Sequence, residues 1–270
     1  FELANFNHNP LPNGWGGVFA CLPFAIWFYL AIEGVANVAE EARDPQRTVA
    51  RGFGSAIFTL VVLALAVFFT STGVAGWEAI VYENPGDEPS DAPLPLALAK
   101  VVGKEHFLYT LLLGVGLLGL IASFHGIILV AGRATMEMGR SGFLPSHLGT
   151  VNSRTQTPIV ALVVNMLIGI VAILSGRTGE IITLAAFGAV ALYVISMWSL
   201  FVLRKKEPDM ERPFRAVCYP VLPALALLIA AVSLVAMSWY NPLIGGVFVG
   251  ILILGTAYFF VTQRREDSIP

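Results

Sequence analysis

The sequence predicts an all-α, polytopic membrane protein with seven transmembrane helices, the first of them broken. Three observations carry this. Of the 270 residues, 56% are hydrophobic and 13% are charged, roughly half the charge share of a soluble domain. Seven stretches approach the ~20 apolar residues that a helix needs to cross hydrocarbon. They run over residues 16–39, 53–76, 107–132, 158–175, 181–203, 221–239 and 243–261. The basic residues fall in alternate connections between them. No Pro- or Ser-rich linker interrupts the series, so one transmembrane domain over 1–270 is expected.

The basic residues set the orientation, because Lys and Arg accumulate in cytoplasmic loops. Thirteen of the sixteen lie in alternate connections: Arg43, Arg47 and Arg51; Arg133, Arg140 and Arg154; Arg204, Lys205, Lys206, Arg212 and Arg215; Arg264 and Arg265. The opposite side holds Lys100, Lys104 and Arg177. Residues 1–15 and the acidic loop with Glu78, Glu83, Asp87, Glu88 and Asp91 are therefore expected outside, and the C-terminus inside. Within the outer loop, 93–100 (PLPLALAK) reads either as a short helix over the membrane face or as irregular chain.

The first span differs from the rest. Its core, 23–37, reads PFAIWFYLAIEGVAN. Glu33 is an acid at membrane depth, and an ionisable group there is expensive to bury and points to function. Glu33, Asn37 and Glu40 are four and three apart, the spacing of one helix face. Gly34 beside Glu33, and Pro23 one turn before Trp27, weaken the local helix. Backbone freed at membrane depth is tolerated where it lines a cavity, and discontinuous helices build transporter sites. Trp27 and Tyr29 are aromatic near the acid, and their faces suit a cation. The competing interpretation has Glu33 bonding a neighbouring helix.

Here the residues become recognisable. The run 27–34 (WFYLAIEG) into 39–47 (AEEARDPQR) resembles the sixth helix and following loop of the amino acid–polyamine–organocation transporters. Gly132-Arg133, Met138, Gly142 to Pro145, Asn152 and Thr157-Pro158 are similar to that superfamily's loop between helices eight and nine. Glu211 to Arg215, followed by Tyr219 to Pro223, is similar to its loop into helix eleven. Three motifs in order, with spans between them, cover essentially the whole chain. Residues 22–34 are most similar to the ethanolamine permease branch. Ala50 and Val217 stand where proline is usual in the superfamily, and Ser141 where an acid is usual.

The resemblance implies helices six to twelve of a five-plus-five inverted-repeat fold. The second repeat would occupy about 16–203 and two extra helices about 219–262, with the first repeat absent. It implies a secondary transporter of the cell membrane for a small amine, ethanolamine first and an amino acid second, driven by a proton or by exchange. The implied substrate site uses Trp27, Tyr29, Leu30, Ala31, Glu33 and Gly34 at the break, with Glu33 also the coupling residue. His125 would lie near the cavity on helix eight; its other interpretation is an interhelical hydrogen bond. With half of the site missing, this chain is not expected to transport alone.

Other features are structural or exclude functions. Glu137 and Arg140, three apart in the loop after the third span, should pair. Cys21 in a span and Cys218 in a basic loop are expected to remain separate thiols. Gly246 to Gly250 is a small-residue motif suited to a close helix contact or a homodimer through the last helices. No second His or acid lies at ligand spacing from His125, so no metal is expected, and no cofactor motif occurs. A net charge of −2 without a basic aromatic stripe excludes nucleic acid as a partner. A seven-helix receptor fits the orientation, but the broken, acid-bearing span and long basic loops favour a transporter. No lysine lies within a span for a retinal Schiff base. An enzyme would need converging acids, His or Cys at membrane depth, and only Glu33 and His125 are found there.

Overall fold

The computed structural model describes residues 1–30, 32, 34, 43–84, 86–90, 92–212, 216 and 218–266. Among them the chain is helical without strands. The helices are α1 (Gly14–Ala20), α2 (Leu22–Tyr29), α3 (Pro45–Ala75), α4 (Trp77–Val81), α5 (Pro93–Val102), α6 (Phe107–Arg140), α7 (Ile159–Leu174), α8 (Thr178–Lys206), α9 (Val221–Tyr240) and α10 (Pro242–Glu266). Five of them, α3, α6, α8, α9 and α10, are long and apolar enough to cross a membrane. The two other expected spans contain shorter apolar helices, over Gly14–Tyr29 and Ile159–Leu174. A 16-residue helix such as α7 reaches ~24 Å, short of the ~30 Å hydrocarbon thickness.

Boundaries differ from the sequence reading where charge was taken as a sign of loop. α3 begins at Pro45, eight residues before the expected span, and α6 runs on to Arg140. Arg133, Glu137 and Arg140 therefore stand on a helix, where Glu137 and Arg140 pair at 3.0 Å. Charged residues are good helix formers once the chain has left hydrocarbon, so the helix outlasts the apolar run. Residues 93–100 are helical, as part of α5.

The chain divides into two compact units, Phe1–Gly14 with Arg51–Ile127 and Trp15–Ala50 with Ile128–Pro270. In the first unit, residues 1–9 form a strap over the end of α3. The Glu2 amide and the Asn5 side chain both donate to the Gly73 carbonyl, each at 2.9 Å. The last carbonyls of a helix have no partner of their own, and the strap supplies one. Phe6 packs between Phe68 and Phe69 at 5.9 and 5.7 Å. Trp77 donates its indole N–H to the Asn9 carbonyl at 3.1 Å. Lys104 donates to Glu83 across the loop joining α4 and α5, and His106 Nδ1 accepts the Leu108 amide at 3.1 Å to cap α6.

The second unit holds a core of Ala186, Phe187, Val190, Ala230 and Met237, with Leu22 and Ile26 packed against it. α8 is its centre: α2, α9 and α10 all pack on it. Without a hydrophobic drive between helices in lipid, close approach requires small residues, and Ala186 and Ala230 supply it. Phe187 stacks on Phe248 at 5.7 Å and lies against Gly245. Between α6 and α7, Thr135 and Asn165 exchange hydrogen bonds of 3.3 and 3.1 Å.

Candidate substrate site

The site begins where α2 ends. Pro23 sits in the first turn of α2, where its missing N–H costs nothing, and is the helix's buried residue. Seven residues on, Leu30 leaves the helical region at φ −68°, ψ 161°, while its amide still donates to the Trp27 carbonyl. An extended residue cannot continue the i to i−4 ladder. The expected interruption near 29–34 therefore has a defined start, directly after Tyr29.

The break adjoins a cavity of about 610 Å³ between α2, α8 and α9. α2 contributes Leu22, Ala25, Ile26 and Tyr29; α8 contributes Val190, Tyr193 and Met197; α9 contributes Ala226, Ile229, Ala230 and Ser233. The α2 residues are three, four and seven apart, one face of a helix. Trp27 is not on that face. Two residues are ~200° apart around a 3.6-residue helix, so Tyr29 and Trp27 point to opposite sides of α2. Trp27 stays 44% exposed, and Tyr29 meets Phe28 edge-on at 5.3 Å.

The remaining expected residues are placed as follows. Leu30 is half-buried at the end of α2, and Gly34 is buried. Gly34 lies so close to α6 that an added Cβ would stand 2.9 Å from Val130 Cγ2. Ala31, Glu33, Asn37 and Glu40 lie outside the described residues. His125 belongs to the first unit, on an exposed stretch of α6. Its Nδ1 donates to the Ile121 carbonyl at 2.8 Å, a bond within its own helix where an interhelical one was the alternative expected. Among the described residues, no group of three His, Cys, Asp or Glu converges to hold a metal.

The cavity residues that sequence reasoning missed are those of α8 and α9. Ser233 is buried at 7% exposure on a largely apolar helix. A polar residue in a 20-residue apolar run was the available signal.

Long apolar helices, a basic-loop pattern and a helix that ends inside its own span define a polytopic helical membrane protein built as transporters are. The chain belongs to the amino acid permease family, whose pattern matches residues 1–262. It is 32% identical over 230 residues to an uncharacterized transporter of Rhizobium meliloti (strain 1021), covering 84% of this chain and 47% of that protein. Two proteins of Bacillus subtilis (strain 168) are also similar. The branched-chain amino acid permease BcaP is 24% identical over 262 residues, 96% of this chain and 53% of its own length. The methylthioribose transporter is 28% identical over 265 residues, 96% and 53%. The chain spans about half the length of the curated relatives it matches. The family and these relatives are transporters, not enzymes.

Proposed function

We propose that the protein to which this chain belongs is a secondary transporter that carries a small amine-bearing solute across the cell membrane by alternating access. The observation that carries this reading is the end of α2 at Tyr29, inside an apolar span of a chain that belongs to a permease family. A broken helix offers backbone groups to a solute at membrane depth without exposing them to lipid. Glu33, three residues past Leu30, supplies the negative charge that an ammonium requires.

The finer reading is ethanolamine, supported by the similarity of residues 22–34 to that permease branch. A short cation without a carboxylate is served by an acid and an aromatic face. An amino acid is the second reading, favoured by the family match and by the name of the BcaP relative. In either case the C-terminus and the basic connections are cytoplasmic, and a homodimer would use α10, where a Cβ added at Gly246 or Gly250 would meet no other described residue within 4 Å.

Coupling rests on Glu33. A bound ammonium favours the carboxylate of a neighbouring acid, so solute arrival beside a protonated Glu33 releases a proton. Uptake of labelled ethanolamine and of labelled leucine into proteoliposomes of the full protein tests the reading. Ethanolamine uptake driven by a proton gradient in the parent, and insensitive to pH or absent in Glu33→Gln, supports it. Leucine uptake that ethanolamine does not compete selects the amino acid reading. Parent-like pH dependence in a folded Glu33→Gln removes Glu33 from coupling.

A further inference from the structure

The α2–α8–α9 cavity is built for an occupant other than an amine. Among the described residues, no charged side chain lines it. Its walls are mostly aliphatic, with Ile26, Val190, Met197 and Ile229 lining about 610 Å³, within the ~300–1,000 Å³ typical of small-molecule sites. α8 and α9 are both long enough to span the membrane, so the cavity opens at hydrocarbon depth. An ammonium brought here would lose its hydration with no carboxylate to replace it.

Three hydroxyl-bearing side chains break the apolar surface, those of Tyr29, Tyr193 and Ser233; Tyr29 is 40% exposed and Ser233 is the buried one. Ser233 is more than nine-tenths buried, lines the cavity, and has no hydrogen-bond partner among the described residues. Helical serines ordinarily satisfy the hydroxyl on their own helix; Ser238, five residues on, donates to the Leu234 carbonyl at 2.8 Å. A hydroxyl left unpaired on an apolar wall is costly, and an occupant that carries a hydrogen-bonding group removes that cost.

We propose that this cavity is a binding site for an uncharged aliphatic alcohol taken up from the lipid phase, its chain along Ile26, Val190 and Ile229 and its hydroxyl on Ser233. Neutrality follows from the uncharged walls, the aliphatic body from the aliphatic residues that make up most of them, and the hydroxyl from Ser233, the buried polar residue on the wall. Because Tyr29 lines the cavity, the occupant touches the last helical residue before the break. The occupant shares Tyr29 with the proposed amine site but carries no charge, so the proposal stands whichever solute is carried.

The test uses the full protein in lipid nanodiscs and 1-octanol carrying a photoreactive diazirine on its chain. Labelled residues are mapped by mass spectrometry. Saturable labelling of peptides from α8 around Met197 and α9 around Ala230, competed by 1-octanol and not by octane or octylammonium, is expected. Ser233→Ala should weaken the apparent affinity about fivefold, the size of one net hydrogen bond, while Ser233→Thr restores it. Labelling that does not saturate, and that spreads over exposed residues such as Leu118 and Leu120, reports partition into lipid and overturns the proposal. So does equal affinity in the parent and in a folded Ser233→Ala.

Discussion

α2 and α8 line the same cavity and are opposites in construction. α8 runs 29 residues without interruption and buries Thr183, Ala186, Phe187 and Val190, a stripe with steps of three, one and three along a single face. α2 is eight residues long, buries Pro23, and stops at an extended Leu30. Helices below about 12–15 residues are marginal by themselves. α2 is therefore held by what it packs on, chiefly α8. The difference assigns the parts: α8 is a fixed platform, and α2 is the element whose free end can change position without breaking a ladder.

The largest expected effect lies on the platform. Phe187 is 1% exposed and touches both Phe248 and Gly245. Phe187→Ala leaves a void that the surrounding helices cannot fill. Phe→Ala in a soluble core costs about 3–5 kcal/mol, and in lipid the transfer part of that falls away, leaving roughly 2 kcal/mol of lost contact. A clear drop in the thermal midpoint of the purified protein is the expected result. Trp27→Ala, on the outward side of α2, should leave that midpoint nearly unchanged. Equal losses at the two positions would remove the distinction between platform and movable wall.

A smaller effect on stability, accompanied by one on activity, is expected past the break. Gly34 approaches Val130 of α6 so closely that a Cβ would sit at 2.9 Å from Cγ2. Valine is stiff at χ1, so Gly34→Ala must push α6 and the segment after α2 apart. Such overpacking costs about 1–3 kcal/mol. Reduced solute uptake, with a thermal midpoint lowered no more than by Phe187→Ala, is the expected pattern; a parent-like uptake rate would mean that the segment moves away from α6 without loss. Gly34 was legible in the sequence only as a helix-weakening residue, because its closeness to Val130 joins positions 96 apart in sequence.

The architecture was legible because long apolar runs survive any uncertainty about boundaries. Charge misled at the ends: Arg133 to Arg140 read as loop, and form the last two turns of α6. The start of the break was legible too, from Gly34 and Pro23 on either side of it. The wall of the cavity was not. Trp27 and Tyr29 were paired by type, although a 3.6-residue period already separates them by ~200°. Val190, Tyr193 and Ser233 come from helices more than 160 residues away in sequence, and no local pattern joins them to α2. Tyr29→Phe tests the aromatic at the cavity directly. It keeps the ring and removes the hydroxyl, so solute uptake should fall by no more than a few-fold, and Tyr29→Ala should lower it further. Identical uptake in the parent and Tyr29→Ala would take this face of α2 out of the transport path.

The smallest expected effect is at the outer loop, where the contrast between held and free elements depends on charge alone. Lys104 donates to Glu83, both side chains about half exposed. That hydrogen bond, ahead of desolvation in the opposite direction, raises the Lys104 pKa above its ordinary 10.5. A raised lysine pKa means that the folded protein holds the proton more tightly than the unfolded chain. The contribution is therefore complete below pH 10.5 and is lost as pH rises through the higher folded value. Exposed pairs contribute little and are screened by salt. Glu83→Gln should then give a slight destabilisation at low ionic strength that is constant from neutral pH to the onset of lysine titration. Added salt should erase it, and at strongly alkaline pH the variant and parent should converge. Thermal midpoints measured across pH and salt provide the check. A difference that grows as pH falls from 9 to 6 would have the wrong sign for this lysine and would place the loop's stability on another group.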